Sequence, residues 1–121
     1  MAKILKIPTI RDKRGSVSIL ERVPGFDIKR IYYIYDVGSQ KRGGHRHKET
    51  DQILICVKGS CTVNCENQFN NFSVFSLNSP QIGLLVEASD WHTMQEFSKD
   101  CVLLVLASTH YDADDYINER Y

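Results

Sequence analysis

The sequence lacks any excess of charge, any long hydrophobic run and almost any helical periodicity. Its 121 residues contain 15 Lys and Arg against 15 Asp and Glu, so neither a nucleic-acid footprint nor an anionic membrane partner is indicated. The longest apolar runs, at 53–57 and 102–107, are far too short to cross a bilayer. The N-terminus has no apolar core followed by a cleavage site, so we predict no signal peptide and expect a cytoplasmic protein.

The four cysteines form none of the common metal or redox motifs. There is no C-x-x-C pair, and the spacing of Cys56, Cys61 and Cys65 matches no common zinc pattern. Cys56 and Cys101 lie inside apolar runs. We therefore predict that all four are reduced, buried and act as small hydrophobic side chains.

What the sequence does contain is a series of short β-type segments separated by turn residues. Such spacing is typical of a β-sandwich or barrel rather than of alternating βαβ units. We predict one all-β domain over residues 1–121, with turns that include the segment 23–26. Only the tail, 112–121, has a helical pattern, with Asp112 or Asp114 as its cap. The predicted strands are 3–7, 16–20, 28–36, 44–48, 52–57, 60–66, 72–76, 82–86, 91–97 and 101–107.

The segment "RGGHRHK" at 42–48 contains two of the four histidines, His45 and His47. In a strand these two side chains point to the same face, because strand side chains alternate with period two. Two adjacent imidazoles can bind a metal ion, transfer protons on a substrate, or simply lie at a solvated edge.

The spacing that follows the pair resembles the cupins, small β-barrels of the jelly-roll class. His45 and His47 are followed by Gln52 and then Gly59, where metal-binding cupins have H-x-H, a glutamate and a glycine. A neutral amide is a much poorer ligand for a divalent ion than a carboxylate. His92 lies where the third metal histidine of a cupin falls, so three nitrogen ligands remain. We predict no functional metal, and proton transfer as the use of the pair, because the pKa of imidazole is close to cytoplasmic pH.

Six segments in order resemble the nucleotide-sugar 3,4-ketoisomerases. The resemblance implies a cupin jelly roll that forms homodimers by exchanging N-terminal strands. It also implies conversion of a dTDP-4-keto-6-deoxy-hexose into its 3-keto isomer, for 3-amino-sugars of surface polysaccharides, with no metal or organic cofactor. The segments are "RGSVSILE" (14–21), "FDIKRIYYIYDV" (26–37), "RGGHRHK" (42–48), "QILICVKGSCTV" (52–63), "SPQIGLLVEASDWHTMQEFSKDCVLLVLAS" (79–108) and "YDADDYI" (111–117).

Within this resemblance, His45 corresponds to the catalytic histidine that removes the proton on carbon 3 of the sugar. His47 corresponds to the second histidine, which delivers or relays a proton. Tyr32 corresponds to an active-site tyrosine that passes protons between the sugar oxygens. Tyr33 and Tyr35 are expected to fill the barrel.

Substrate binding is assigned to Arg14, Arg42 and His92. The two arginines are candidates to hold the developing oxyanion or the diphosphate. By the resemblance, Arg14 together with His92 is the pattern of enzymes that form the galacto product, whereas a tyrosine and an arginine at those positions are the gluco pattern. Two departures from the family are Arg46, which should point away from the histidine pair, and Gly44, where an aromatic residue is frequent.

Two other functions remain open from the sequence. One is a metal-dependent cupin enzyme, which would bind iron or zinc stoichiometrically. The other is a catalytically silent cupin that binds a nucleotide sugar without converting it.

Overall fold

Twelve short strands and one 3-10 turn form the regular structure of the computed structural model, which describes residues 1–22 and 25–121. All ten predicted strands are present, and none of their ends differs from the prediction by more than two residues. The predicted turn at 23–26 begins with Val23 and Pro24, which lie outside the described residues. The strands are β1 (Lys3–Lys6), β2 (Thr9–Asp12), β3 (Gly15–Ser18), β4 (Arg30–Tyr35), β5 (Arg42–His47), β6 (Gln52–Lys58), β7 (Cys61–Glu66), β8 (Phe72–Leu77), β9 (Ile82–Val86), β10 (Trp91–Gln95), β11 (Val102–Ala107) and β12 (Tyr116–Ile117).

The strands form two five-stranded antiparallel sheets. The first has the order β1-β9-β6-β11-β4 and the second the order β12-β5-β10-β7-β8. Apart from the hairpin of β7 and β8, neighbours in each sheet come from distant parts of the chain, as in a jelly roll, where most consecutive strands alternate between the sheets. The all-β prediction is confirmed, and described residues contain no helix long and apolar enough to cross a membrane.

The main core lies between the two sheets. Inward side chains of the first sheet, such as Leu54 and Leu103, pack against those of the second, such as Val63 and Met94. A smaller cluster around Ile53 covers the opposite face of the first sheet. Because the middle of this sheet is covered on both faces, β6 is a continuous apolar run from its second residue instead of an alternating one.

The hairpin of β2 and β3 is separate from both sheets. Its strands hydrogen-bond only to each other among the described strands. The hairpin carries exposed apolar side chains, with Ile10 60% and Val17 59% exposed. It is thus an arm with apolar surface that this chain does not cover.

The C-terminal segment differs from the predicted helix at 112–121. The helical part is a single 3-10 turn, Ala113–Asp115, whose cap is Asp112, one of the two predicted candidates. Tyr116 and Ile117 then form β12, which pairs with β5. The helix stops after one turn because the following residues, Tyr116 and Ile117, pair with the edge of β5. The acidic residues of the tail, on which the helix prediction rested, do not indicate this pairing.

Two side-chain predictions can be compared with the structure. All four cysteines are free and buried, as predicted. Tyr33 and Tyr35 do not fill the barrel: they are 62% and 58% exposed on the outer face of edge strand β4, where their rings stack 5.9 Å apart. The alternation along β4 places Tyr32, not its neighbours, towards the interior.

Candidate active site

Three histidines of the second sheet lie close together on neighbouring strands. His45 and His47 lie on one face of β5, with ring centroids 5.0 Å apart. His92 is opposite His45 in the neighbouring strand β10, and these two rings are 4.9 Å apart. Ring nitrogens of the three residues lie within 4.8 Å of one another. The two histidines predicted as a pair are therefore part of a trio.

A glycine allows β5 and β10 to approach this closely. Gly43 has a φ of +82°, a left-handed conformation that favours glycine. A Cβ atom at this position would lie 2.8 Å from the carbonyl oxygen of His92. Gly44 also has a positive φ, but a Cβ there would meet nothing within 4 Å. The "RGG" segment therefore sets the spacing between His45 and His92.

A tyrosine that was not predicted as a site residue also packs against the histidine trio. Tyr116 of β12 pairs with His47, and its ring lies 4.9 Å from that of His45 and 4.7 Å from that of His47. The only signal for it was the tyrosine in "YDADDYI", a segment whose acids favoured a helix.

Asp115, also missed by sequence reasoning, contacts His47 directly. Its Oδ2 lies 2.8 Å from Nδ1 of His47. The hydroxyl of Thr50 donates to the same oxygen, and the backbone N–H of Glu49 donates to Oδ1 at 2.8 Å. Burial opposes ionisation of this carboxyl group, but the hydrogen bonds from Thr50, Glu49 and His47 together lower the pKa of Asp115. Nε2 of His47 is buried and has no hydrogen-bond partner among the described residues.

Tyr32 is held by Gln52, the residue that replaces the cupin glutamate. The side-chain amide of Gln52 donates to the hydroxyl oxygen of Tyr32 at 2.8 Å. The guanidinium carbon of Arg30 lies 5.4 Å from the centre of the Tyr32 ring. Burial, assisted by nearby Tyr116, raises the pKa of Tyr32. The phenol is therefore protonated at neutral pH.

All three histidines of the trio are neutral at physiological pH. Burial, and to a smaller extent neighbouring His47, lowers the pKa of His45 to about 4. Burial together with His45 lowers the pKa of fully buried His92 to about 3. Burial also lowers the pKa of His47, against the opposing effect of Asp115. The trio thus presents lone pairs that can accept protons.

The remaining predicted substrate-binding residues, Arg42 and Arg14, lie in different parts of the chain's fold. Arg42 begins β5 and is exposed, and its charge only slightly opposes the rise in the pKa of Tyr32 that burial causes. Arg14 lies on the β2–β3 arm, where its side chain is 85% exposed and forms an ion pair with Asp12. Within one chain, Arg14 is therefore not part of the histidine trio. Arg46 points away from the pair, as expected, and its guanidinium lies 4.2 Å from the ring centre of Tyr121.

The trio is also the place where a metal could bind. Three neutral imidazoles can ligate zinc or iron, and their lowered pKa values reduce competition from protons. However, Gln52 directs its amide towards Tyr32, and the carboxylate of Asp115 is occupied by three donors. The donor set therefore contains imidazoles but no carboxylate that is free to offset the charge of an ion.

The sequence matches a protein family described as FdtA: WxcM-like, C-terminal, over residues 1–121. The chain belongs to this family. It is 44% identical, over 97% of this chain and 86% of the relative, to the TDP-4-oxo-6-deoxy-alpha-D-glucose-3,4-oxoisomerase of Aneurinibacillus thermoaerophilus. Family membership establishes the chain as an isomerase.

Solved structures of the family confirm the cupin-type jelly roll. One is the WlaRB TDP-quinovose 3,4-ketoisomerase from Campylobacter jejuni, with 45% identity, a TM-score of 0.91, and coverage of 98% of this chain and 92% of that chain. Another is the QdtA 3,4-ketoisomerase from Thermoanaerobacterium thermosaccharolyticum, with 41% identity, a TM-score of 0.92, and coverage of 98% and 87%. The latter is a double mutant in complex with TDP, in which a tyrosine is replaced by arginine and an arginine by histidine.

Proposed function

We propose that this chain is a dTDP-sugar 3,4-ketoisomerase that converts dTDP-4-keto-6-deoxy-D-glucose into a dTDP-3-keto-6-deoxy-hexose. Residues 1–121 act as one catalytic cupin domain, without a metal or organic cofactor. The observation that carries the proposal is the convergence of three neutral imidazoles beside a protonated tyrosine, in a chain of this family. The activities by which these relatives are named support the substrate class.

His45 is the base that removes the proton from carbon 3. That proton is acidic because it lies alpha to the carbonyl group at carbon 4, so a modest base held in position is sufficient. His45 is the only partly exposed member of the trio, whereas His47 and His92 are 3% and 1% exposed. A bound sugar therefore reaches His45 first. Loss of the carbon 3 proton together with protonation of the oxygen at carbon 4 gives an enediol. Protonation at carbon 4 and loss of the proton from the oxygen at carbon 3 then leave the ketone at carbon 3.

Tyr32 moves the proton between the two sugar oxygens. Its oxygen accepts a hydrogen bond from Gln52, so its own O–H is free to point at the substrate. A protonated phenol can give its proton to the oxygen at carbon 4 and take one from the oxygen at carbon 3. His47 relays a proton or binds a sugar hydroxyl through its unpaired Nε2. Arg42 and His92 complete the substrate site, where His92 lies opposite His45 on the neighbouring strand β10.

Arg14 reaches a site only if the arm is exchanged with a second copy of the chain. Within residues 1–22 and 25–121, the arm makes no strand pairing with the two five-stranded sheets, and it exposes apolar side chains at Ile10 and Val17. We therefore propose a homodimer with exchanged N-terminal strands, in which Arg14 enters the partner's site and binds the diphosphate or the oxyanion.

A complementation experiment tests the exchange. Arg14→Ala and His45→Asn each remove activity from a homodimer, for different reasons. A mixed dimer with exchanged arms contains one site with an intact His45 and an intact Arg14, so mixing and refolding the two variants should restore part of the activity. Mixed dimers that stay inactive would contradict the exchange.

The product is proposed to have the galacto configuration at carbon 4. In the gluco ring of the substrate, the hydrogen on carbon 3 lies on the same face as the carbon 4 hydrogen of a galacto product. The imidazoles form one cluster, so a base that removes the first proton also delivers the second to that same face. The pair Arg14 and His92 supports this assignment. The name of the 45% identical relative refers to quinovose, the gluco sugar, so the proposal depends on these local features and not on overall identity.

The central experiment follows isomerisation of dTDP-4-keto-6-deoxyglucose by NMR. We expect turnover by the wild-type chain and none by His45→Asn. The matched control is His110→Asn, which makes the same change at an exposed histidine outside the trio. Substrate deuterated at carbon 3 should return part of its label to carbon 4, and the product should show the small H4–H5 coupling of the galacto ring. Equal turnover by His45→Asn would contradict the base assignment, and a large H4–H5 coupling would contradict the stereochemistry.

The two alternatives give different results. A metal-dependent cupin enzyme is favoured by the three nitrogens within 4.8 Å, and it would contain a stoichiometric metal by elemental analysis. A silent binding cupin would bind the nucleotide sugar without exchange of its carbon 3 proton in deuterium oxide.

The cellular role follows from the product. A 3-keto sugar is the substrate of an aminotransferase, so we propose a cytoplasmic step in the synthesis of 3-amino-3,6-dideoxy sugars for surface polysaccharide.

A further inference from the structure

We propose that Asp115 is a positioning residue that sets the tautomer and orientation of His47, so that Nε2 of His47 faces the substrate as a proton acceptor. The inference rests on the proposed function for its kinetic consequence. Its structural part stands on the contacts around Asp115 alone.

The contact between Asp115 and His47 determines where the ring proton lies. An ionised carboxylate can only accept hydrogen bonds, so the 2.8 Å contact from Oδ2 places the proton of neutral His47 on Nδ1. The lone pair is then on Nε2. That atom is buried and unpartnered among the described residues, beside the rings of His45 and Tyr116. A buried nitrogen without a partner in an active site is most simply explained as a group that waits for a ligand.

Asp115 is itself held rigidly. Glu49 donates its backbone N–H to one carboxylate oxygen, and Thr50 donates its hydroxyl to the other. The Thr50 hydroxyl also lies 2.7 Å from that of Thr109. Only 8% of Asp115 is exposed, so water does not compete for these contacts. A carboxylate fixed in this way can orient an imidazole and stabilise the cation that forms when Nε2 accepts a proton.

The first test measures the tautomer and needs no turnover. In chain labelled with ¹⁵N at histidine, the shifts of the two ring nitrogens distinguish the two neutral tautomers. We expect His47 of the wild-type chain to be protonated at Nδ1. A wild-type His47 protonated at Nε2 would overturn the inference, even if the isomerase activity is present. Absence of isomerase activity, with the expected tautomer, would contradict the proposed function and not this inference.

The second test is a double-mutant cycle. Asp115→Asn should lower kcat by at least about 10-fold with little change in KM, since a group that orients a functional histidine usually has an effect of this size. In the background of His47→Asn it should cause no further loss, because Asp115 acts through that ring. The matched control is Asp112→Asn, which makes the same change at the cap of the same turn, where the side chain accepts a hydrogen bond from the backbone N–H of Asp114 and not from His47. Equal fold losses from Asp115→Asn in both backgrounds would show a merely structural role and overturn the inference.

Discussion

The pH dependence of the reaction gives a quantitative test of the base. An ordinary histidine has a pKa of about 6.5, so at pH 5 only about 3% of it is neutral and able to accept a proton. Burial lowers the pKa of His45 to about 4. At pH 5 about 90% of His45 is then neutral, a difference of about 30-fold in the active form of the enzyme.

The sign of the effect follows from the direction of the shift. Lowering the pKa extends the neutral, active form to lower pH, so kcat/KM should be nearly flat from pH 8 to pH 5. His92 does not change this expectation, because its pKa is lowered to about 3. Burial also lowers the pKa of His47, which moves protonation of that ring in the same direction, to lower pH. The diphosphate of a nucleotide sugar has no ionisation in this range, so the substrate does not contribute a limb of its own.

The assay measures initial rates of 3-keto product formation at constant ionic strength and enzyme concentration. Circular dichroism at each pH verifies that the chain remains folded. Because kcat/KM reports the free enzyme, it is the parameter to compare with the environment of His45 in the absence of substrate. A fall of kcat/KM to half near pH 6.5, with the fold intact, would refute the reasoning that burial keeps this base neutral.

Three further predictions concern metal, backbone and stability. Treatment with a chelator should leave the isomerase rate unchanged, because Gln52 supplies no carboxylate; loss of the rate and its recovery with a divalent ion would favour the metal-dependent alternative. Gly59→Ala should lower the free energy of unfolding by more than about 3 kcal/mol, since its Cβ would lie 2.8 Å from Cα of Cys101 and its φ is +73°. Gly38→Ala has the same backbone strain in open space and should cost only about 1–2 kcal/mol in urea denaturation. Buried His92, with its pKa lowered to about 3, should make the chain less stable below pH 6.5, where the unfolded chain takes up the proton first. At pH 5 His92 alone contributes a loss of about 2 kcal/mol relative to pH 8, and His45 acts in the same direction; urea midpoints that do not change with pH would contradict this prediction.

Strand positions could be predicted because polar and apolar residues alternate locally along each strand that has one buried face. The segment 60–66 alternates polar and apolar residues, and β7 buries Cys61, Val63 and Cys65 on one face as that pattern predicts. The pairing of His45 with His47 has the same origin, since period two places both on one face whatever the rest of the fold is. The family resemblance extended this reading to the jelly roll and to the ketoisomerase class.

The helix predicted for the tail shows where local patterns stop being informative. Acids in a first turn favour a helix, and a 3-10 turn does form at Ala113–Asp115. The carboxylate of Asp115, however, is used by His47, which is 68 residues away in sequence. The backbone beyond it pairs with β5, and nothing within 112–121 indicates that partner.

Tertiary structure alone decided which residues surround the histidine pair. Sheet order places β10 and β12 on either side of β5, which brings His92 and Tyr116 to the pair from opposite directions. It also turned Gln52 from an apparent gap in a metal site into the hydrogen-bond donor of Tyr32. The sequence by itself determined ten of the twelve strands, the face of the histidine pair and the family, because these depend on neighbours and on motifs. The contacts that orient the histidines depend on strands far apart in the chain, and only the packing of the two sheets brings them together.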